Sequence, residues 1–290
     1  MQAADIRVVT WNLWWRFGRW QDRATAIRSV LLQARPDLCG LQEIWADDGV
    51  NFAEELAAAL GMSWAWNPSP FPERWQQRTG EPAAEIGNAV LSRWPICETI
   101  ELRLPPGDSG DQARTAILVI VDAPGGRIPF ATTQLTSAPW DSASRKGQVM
   151  ELAGLLAAHD VHDYPVVLTG DLNAEPDSDE VRLLCGHKTP PARPGFVLVD
   201  AWRYAEIDAI PWTWDRANPH VAATMEPSAR IDYVLVGPPR HGRGRISSAQ
   251  RLGHRPIRAV WPSDHAGLLV ELGAEERQMP NVREQIERQL

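Results

Sequence analysis

The chain has 290 residues, 44% hydrophobic and 23% charged, which suits a folded chain with apolar material for one large core or two small ones. Its formal net charge of -8 gives no overall basic footprint for tight sequence-independent binding to long nucleic acid, although local arginines can still grip phosphates. Three widely spaced cysteines, Cys39, Cys97 and Cys185, support neither a disulfide framework nor a cysteine-rich zinc site, and reduced thiols are expected.

In chain order, IRVVTWNL (6 to 13) predicts a strand, and DRATAIRSVLLQA (22 to 34) has the apolar spacing of a helix. Further strands are expected at 37 to 45, 63 to 66, 87 to 93, 115 to 121, 128 to 135, 165 to 170, 196 to 202, 231 to 237 and 267 to 273. Helices fit at about 51 to 60, 144 to 160 and 178 to 184. Strands outnumber helices without alternating strictly with them, which favours a mixed-sheet layered α/β arrangement over a barrel. The Pro/Gly/Arg-rich piece from 237 to 260 reads as a long surface loop. A domain over 1–273 is followed by a charged tail over 274–290, where Val282, Ile286 and Leu290 recur at four-residue spacing. The N-terminus lacks a basic segment followed by an apolar one, and no run approaches the roughly 18 apolar residues of a membrane span. The expected location is therefore the cytoplasm, and no obligate protein partner is evident.

The stretch PVVLTGDLNAEP (165 to 176) ends an apolar strand in Gly170 and then offers Asp171 and Asn173. Alone it reads as a turn, but the arrangement recurs. Asn12 ends VVTWN, Glu43 ends CGLQE, Gln134 ends FATTQ, Asp232 sits in RIDYVLV, and SDH (263 to 265) precedes the last strand. Strand ends converging on acids, amides and one histidine suit metal-assisted phosphoester hydrolysis, because a hard cation such as Mg²⁺ takes oxygen ligands and few carboxylates. Glu43 is the first expected ligand. Asp171, Asn173 and a His–Asp pair suit the orientation of water and the neutralisation of phosphate oxygens. His265 has such company; His159, His162, His187, His220, His241 and His254 lie in helix-end or loop sequence.

TWN, LQE, GNAVLSRWPI, TGDLNAEPDS, RIDYVLV and SDH, in this order, make the chain over roughly residues 6 to 273 resemble the endonuclease/exonuclease/phosphatase superfamily, which includes deoxyribonuclease-I-like enzymes. The resemblance implies an α/β (α+β) fold: a four-layer α/β/β/α sandwich of two packed mixed β-sheets with outer helices and a Mg²⁺- or Mn²⁺-dependent site at one edge. It places Asn12 and Glu43, with Asp264 close by, at the metal. It makes Asp171 the acid that orients or deprotonates water, Asn173 the amide beside it, and Asp232 and His265 the pair that binds phosphate and moves protons. Many members carry a histidine where this chain has Gln134. An amide can donate a hydrogen bond there but cannot supply a proton.

Arg114 and Arg145 are candidate phosphate contacts, Asn88 a candidate substrate contact, and Trp214 (or Trp212) in IPWTWDRANPH a candidate stacking platform. Trp14, Trp15, Phe17 and Trp20 are read as packing residues near the metal, although an apolar rim is the other option. The intact set Asn12, Glu43, Asp171, Asn173, Asp232, Asp264 and His265 favours a phosphoesterase over a binding module decayed at Gln134. No PAWCDR-type segment of inositol polyphosphate 5-phosphatases is present, since PSARIDY stands in its place. A secreted sphingomyelinase is the weaker expectation without a signal peptide. A phosphodiesterase acting on nucleic acid or a nucleotide-like substrate is the leading one, ahead of small-molecule or phospholipid head-group hydrolysis.

Overall fold

The computed structural model describes residues 5–107, 114–161 and 163–274. Its strands are β1 (Ile6–Asn12), β2 (Leu38–Asp47), β3 (Val50–Asn51), β4 (Ser63–Pro68), β5 (Glu85–Ser92), β6 (Ile96–Arg103), β7 (Thr115–Ala123), β8 (Gly126–Gln134), β9 (Val167–Asp171), β10 (Val199–Asp200), β11 (Asp232–Val236), β12 (Ile246–Leu252) and β13 (Gly267–Leu272). The helices are α1 (Trp20–Ala34), α2 (Phe52–Leu60), α3 (Glu73–Thr79), α4 (Ser142–His159), α5 (Asp179–Cys185) and α6 (Pro219–Ala222). One sheet runs β12-β13-β1-β2-β5-β4 with β3 paired to β2, and the other β10-β11-β9-β8-β7-β6. The pairs β1–β2 and β8–β9 are parallel and the remaining ones antiparallel.

Strand alternation distributes the apolar residues over three layers. Ile6 and Val8 face the second sheet, where they join Leu38, Val90, Ile117, Val119, Phe130, Val234 and Val270. Val9 and Trp11 face outward, under Ile27 and Leu31 of α1 and Leu56 of α2. On the far side, Val149, Leu152, Ala153 and Leu156 of α4 cover Leu118, Ala131 and Leu168. Their three- and four-residue spacing makes one buried helix stripe, in which each buried aliphatic contributes about 1.5–3 kcal/mol. The central strands β7 and β9 are buried along nearly their whole length, because each of their faces is covered. The result is the four-layer sandwich expected from the sequence. At Gly40, between the sheets, only glycine fits. A Cβ on Gly40 would lie 1.8 Å from Thr169 Oγ1.

Several elements depart from expectation, among them the short helices α3 and α6 and the two-residue strand β3, none of which was expected. The supposed loop 237 to 260 contains the edge strand β12, whose bulge at Ser247 shifts the inward residues to Ile246, Ala249 and Leu252. The strand expected over 196 to 202 is only the two-residue β10, followed by a 3-10 turn over Ala201–Tyr204 that Asp200 caps through Trp202 N. Strand β6, which was not predicted, is a half-exposed edge with another bulge near Cys97. The tail from 275 onward and His162 lie outside the described residues. Among the described residues, no helix is long and apolar enough to cross a membrane.

Candidate active site

The second sheet brings three of the expected residues together by register alone. Gln134 at the end of β8 pairs with Asp171 at the end of β9, and Asp171 pairs with Asp232 at the start of β11. Adjacent strands lie about 4.8 Å apart, so three polar side chains stand in a row. Asn173 follows in the left-handed region, at φ 47°. Its backbone N–H donates to Asp171 Oδ1 (3.0 Å), and its amide donates to the Leu135 carbonyl (3.0 Å).

The first sheet uses a different device. Asn12 pairs with Gln42 across β1 and β2, so Glu43 lies one residue beyond that register. A bulge between Leu41 and Ile44 on the β5 side, with Glu43 itself at φ 51°, turns its carboxylate to the same edge. A left-handed conformation in a non-glycine residue is strained. Asp264 and His265 reach the edge from the segment before β13.

Hydrogen bonds join the two halves. Asn12 Nδ2 donates to Glu43 Oε1 (3.1 Å) and to Asp171 Oδ2 (3.0 Å). Gln134 Nε2 donates to the same two oxygens at 2.7 and 3.2 Å. His265 Nδ1 lies 2.9 Å from Asp232 Oδ2, and both residues are buried. Burial opposes charge on His265, but Asp232, Asp264 and Asp171 outweigh it and hold the imidazole well above its usual range. Burial pushes the Asp171 carboxyl up and Asp232 adds to this, against the opposing pull of His265, Asn12 and Gln134. Burial, helped by Glu43, raises Asp264 to about 7 against the pull of His265 and Arg23.

Several supports are invisible in the motifs. Arg23 of α1 is buried, and its guanidinium donates to the carbonyls of Leu13, Trp14, Trp15, Phe17 and Pro262 at 2.7 to 3.1 Å. It thereby ties the loop after Asn12 to the segment before Asp264. Ser263 Oγ donates to the Asn12 carbonyl (2.7 Å) and accepts from His265 N (3.2 Å). Asn218 donates to the Ser263 and Asp264 carbonyls, and Thr213 Oγ1 accepts from Asp232 N. Below the site, Gln42 bridges the sheets to Thr132 Oγ1 (2.7 Å). The sequence signal for Ser263 was its place in SDH. Thr213 and Asn218 lie in a segment noticed only for its tryptophans.

The softer candidates divide. Trp214 stands edge-on to the His265 ring, with centroids 5.0 Å apart, while Trp212 is partly exposed beside it in the chain. Asn88 lines a small pocket with Trp75, Arg114 and Gln134, but its amide donates to Thr115. Arg114 Nη1 donates to Gln134 Oε1 at 2.6 Å. Arg145 is a correction to the expected phosphate contact. It is buried against Glu180 (2.7 Å) and donates to the Thr136 and Ala138 carbonyls, so its fork braces the interior. Trp15 is buried and donates to the Glu85 carbonyl. Trp14 packs at a tilt against His220, with ring centroids 4.5 Å apart, and burial and Arg23 lower the pKa of that histidine.

The donor set fits a hard divalent cation. Glu43, Asp171, Asp232 and Asp264 offer carboxylate oxygen to one buried edge, and Asp232 Oδ1 is buried without a hydrogen-bond partner. The ligand atoms of Asp171, Asp232 and His265 lie within 4.8 Å of one another. This cluster overlaps the water- and phosphate-handling residues expected from sequence rather than the expected metal set of Asn12, Glu43 and Asp264, and Asn12 and Gln134 bridge the two groups.

A family model for the Endonuclease/Exonuclease/phosphatase family matches residues 9–265. A Caenorhabditis elegans protein described as a candidate neutral sphingomyelinase is 26% identical over 320 residues, 95% of this chain and 68% of that protein. The fold is similar to that of D. rerio TDP2 complexed with a single strand DNA product, with TM-score 0.72 and 18% identity over 93% of this chain and 99% of that one. The human Nocturnin catalytic domain with bound sulfate anion gives TM-score 0.69 and 21% identity over 94% of each chain. The family match takes in every site residue from Asn12 to His265, and the chain belongs to the Endonuclease/Exonuclease/phosphatase family.

Proposed function

We propose that the protein is a divalent-metal-dependent phosphodiesterase that hydrolyses its substrate by in-line attack of water. The observation that carries this is the convergence of Glu43 and Asp171 on the same two amides, beside the buried His265–Asp232 pair. Glu43, with Asn12 and Asp264 beside it, would hold Mg²⁺ or Mn²⁺, which supplies charge neutralisation at the phosphate oxygens. Asp171 accepts the proton of the attacking water, for which a carboxyl raised by burial is better suited than an exposed one. Asn173 fixes the Asp171 carboxylate through its backbone N–H to Oδ1, while Oδ2 is held between the Asn12 and Gln134 amides. His265, kept protonated by Asp232, donates to a phosphate oxygen as negative charge develops there.

For the substrate, a nucleic acid or nucleotide-like phosphodiester has the most support. Between Gly237 and Ser263 the chain has six arginines and no acid, on a molecule of net charge -8. Of these, Arg251 lies in β12, ion-paired with Asp215 and next to Leu252, which pairs with Gly267 two residues beyond His265. Arg255 and Arg258 follow in the segment that leads to His265. Trp212 and Trp214 add aromatic faces for a base. A phospholipid head group is the second reading, favoured by the relative described as a candidate sphingomyelinase. Hydrolysis of an activated phosphodiester, its phosphomonoester, single-stranded and plasmid DNA, and sphingomyelin vesicles, each with Mg²⁺, Mn²⁺ or EDTA, separates these readings. Metal-dependent cleavage of DNA above the lipid supports the first, the reverse order supports the second, and preference for the monoester contradicts both.

A further inference from the structure

Gln134 stands where many relatives of this fold were expected to place a histidine, and its surroundings give the amide a task of its own. Its Nε2 lies within hydrogen-bonding distance of Glu43 Oε1 and Asp171 Oδ2, and its Oε1 lies 2.6 Å from Arg114 Nη1. A guanidinium has only donors and a carboxylate only acceptors, so the amide has one possible orientation: carbonyl toward Arg114, NH₂ toward the two acids. Asn12 donates to the same two oxygens from the opposite sheet. Glu43 Oε1 and Asp171 Oδ2 are therefore held between two amides, one from each half of the sandwich. Arg114 is itself only 7% exposed, and its guanidinium lies 5.5 Å over the Trp75 ring, which restricts the fork.

We propose that Arg114 is a positioning residue that acts through Gln134. It locks the Gln134 amide so that its NH₂ aligns the Glu43 and Asp171 carboxylates with each other. This rests on the phosphodiesterase reading of the site and gives Gln134 a role that a histidine acid could not share. An imidazole that accepted from Arg114 on one nitrogen would be neutral and keep a single N–H on the other, whereas the amide NH₂ serves both acids. Gln134 and Arg114 then form one unit, in contrast to the sequence expectation that Arg114 meets substrate phosphate directly.

A double-mutant cycle separates the two roles. Arg114→Met, Gln134→Met and the double variant are compared with the wild type by calorimetric Mn²⁺ titration and by kcat and KM on an activated phosphodiester, with thermal melts checking the fold. Partners behind metal-binding groups are typically worth ~10 to 100-fold in affinity or activity. Each single variant should lose Mn²⁺ affinity and kcat by about 10-fold or more with KM nearly unchanged, and the double should lose no more than the larger single. Arg114→Lys, which keeps a donor and a charge, should recover most of the loss while Gln134 is present and none of it in Gln134→Met. Additive losses, a rise confined to KM, or unchanged Mn²⁺ affinity in Arg114→Met would overturn the proposal while leaving the phosphodiesterase intact. A wild-type protein that neither binds Mn²⁺ nor cleaves the diester would overturn the functional reading itself, and this proposal with it.

Discussion

The two halves of the site are built on opposite terms. On the second sheet, Gln134, Asp171 and Asp232 stand side by side because three regular strands end in register. On the first sheet, Glu43 reaches the same edge only through a bulge and a left-handed backbone, and the loop after Asn12 is held by Arg23. The regular half takes its spacing from strand register, and Asn173, Thr213 and Arg114 only trim it. The irregular half spends local strain and a buried cation to aim one carboxylate, a known pattern where function and stability compete.

The largest test of this contrast is catalytic. Asp171→Ala, His265→Ala and Glu43→Ala should each lower turnover on an activated phosphodiester by about 10²-fold or more, with circular dichroism unchanged because all three lie at the sheet edge. Equal losses from both halves support one shared site, and wild-type turnover in any of the three would break it. Next in size are the two buried arginines. Arg23→Met strands several buried carbonyls and should cost about 3 kcal/mol or more, as should Arg145→Met, which leaves Glu180 buried without its ion pair. Denaturant titration with and without Mn²⁺ distinguishes them. Arg23→Met should also lose metal affinity, whereas Arg145→Met, bracing the interior of the other half, should keep it.

What the sequence showed follows the same division. Strand ends carrying Asn12, Gln134, Asp171 and Asp232 were legible because regular alternation leaves a periodic trace. The bulge at Glu43 left no trace, since one extra residue in a strand looks like any other residue. For the same reason β12 passed for a loop: its bulge turned a two-residue period into the three-residue spacing of Ile246, Ala249 and Leu252. Arg23 looked like an ordinary helical arginine, because its partners are main-chain carbonyls from residues as distant as Pro262. Gln134 read as a missing acid, and only the placement of Arg114 gives the amide a direction.

A finer test lies in the backbone. If Glu43 is strained at φ 51°, Glu43→Gly should be more stable than Glu43→Ala by about 1 kcal/mol, with both inactive and neither stabilised by Mn²⁺. The same exchange at Gln134, on the regular strand β8, should instead favour alanine. The smallest expected effect is at the rim. Trp214→Ala removes the ring edge-on to His265 and should raise KM severalfold on a nucleotide-like diester, with steady-state kinetics as the measure and an equal rise on every substrate as the contrary result.

The central claim is that both halves form one metal-dependent hydrolytic centre. The most direct measurement is hydrolysis of an activated phosphodiester by the wild type and Asp171→Asn, side by side, with saturating Mn²⁺ and with EDTA. Turnover in the wild type that EDTA abolishes and Asp171→Asn loses is the predicted result. Turnover that survives EDTA, or that Asp171→Asn retains in full, would contradict it.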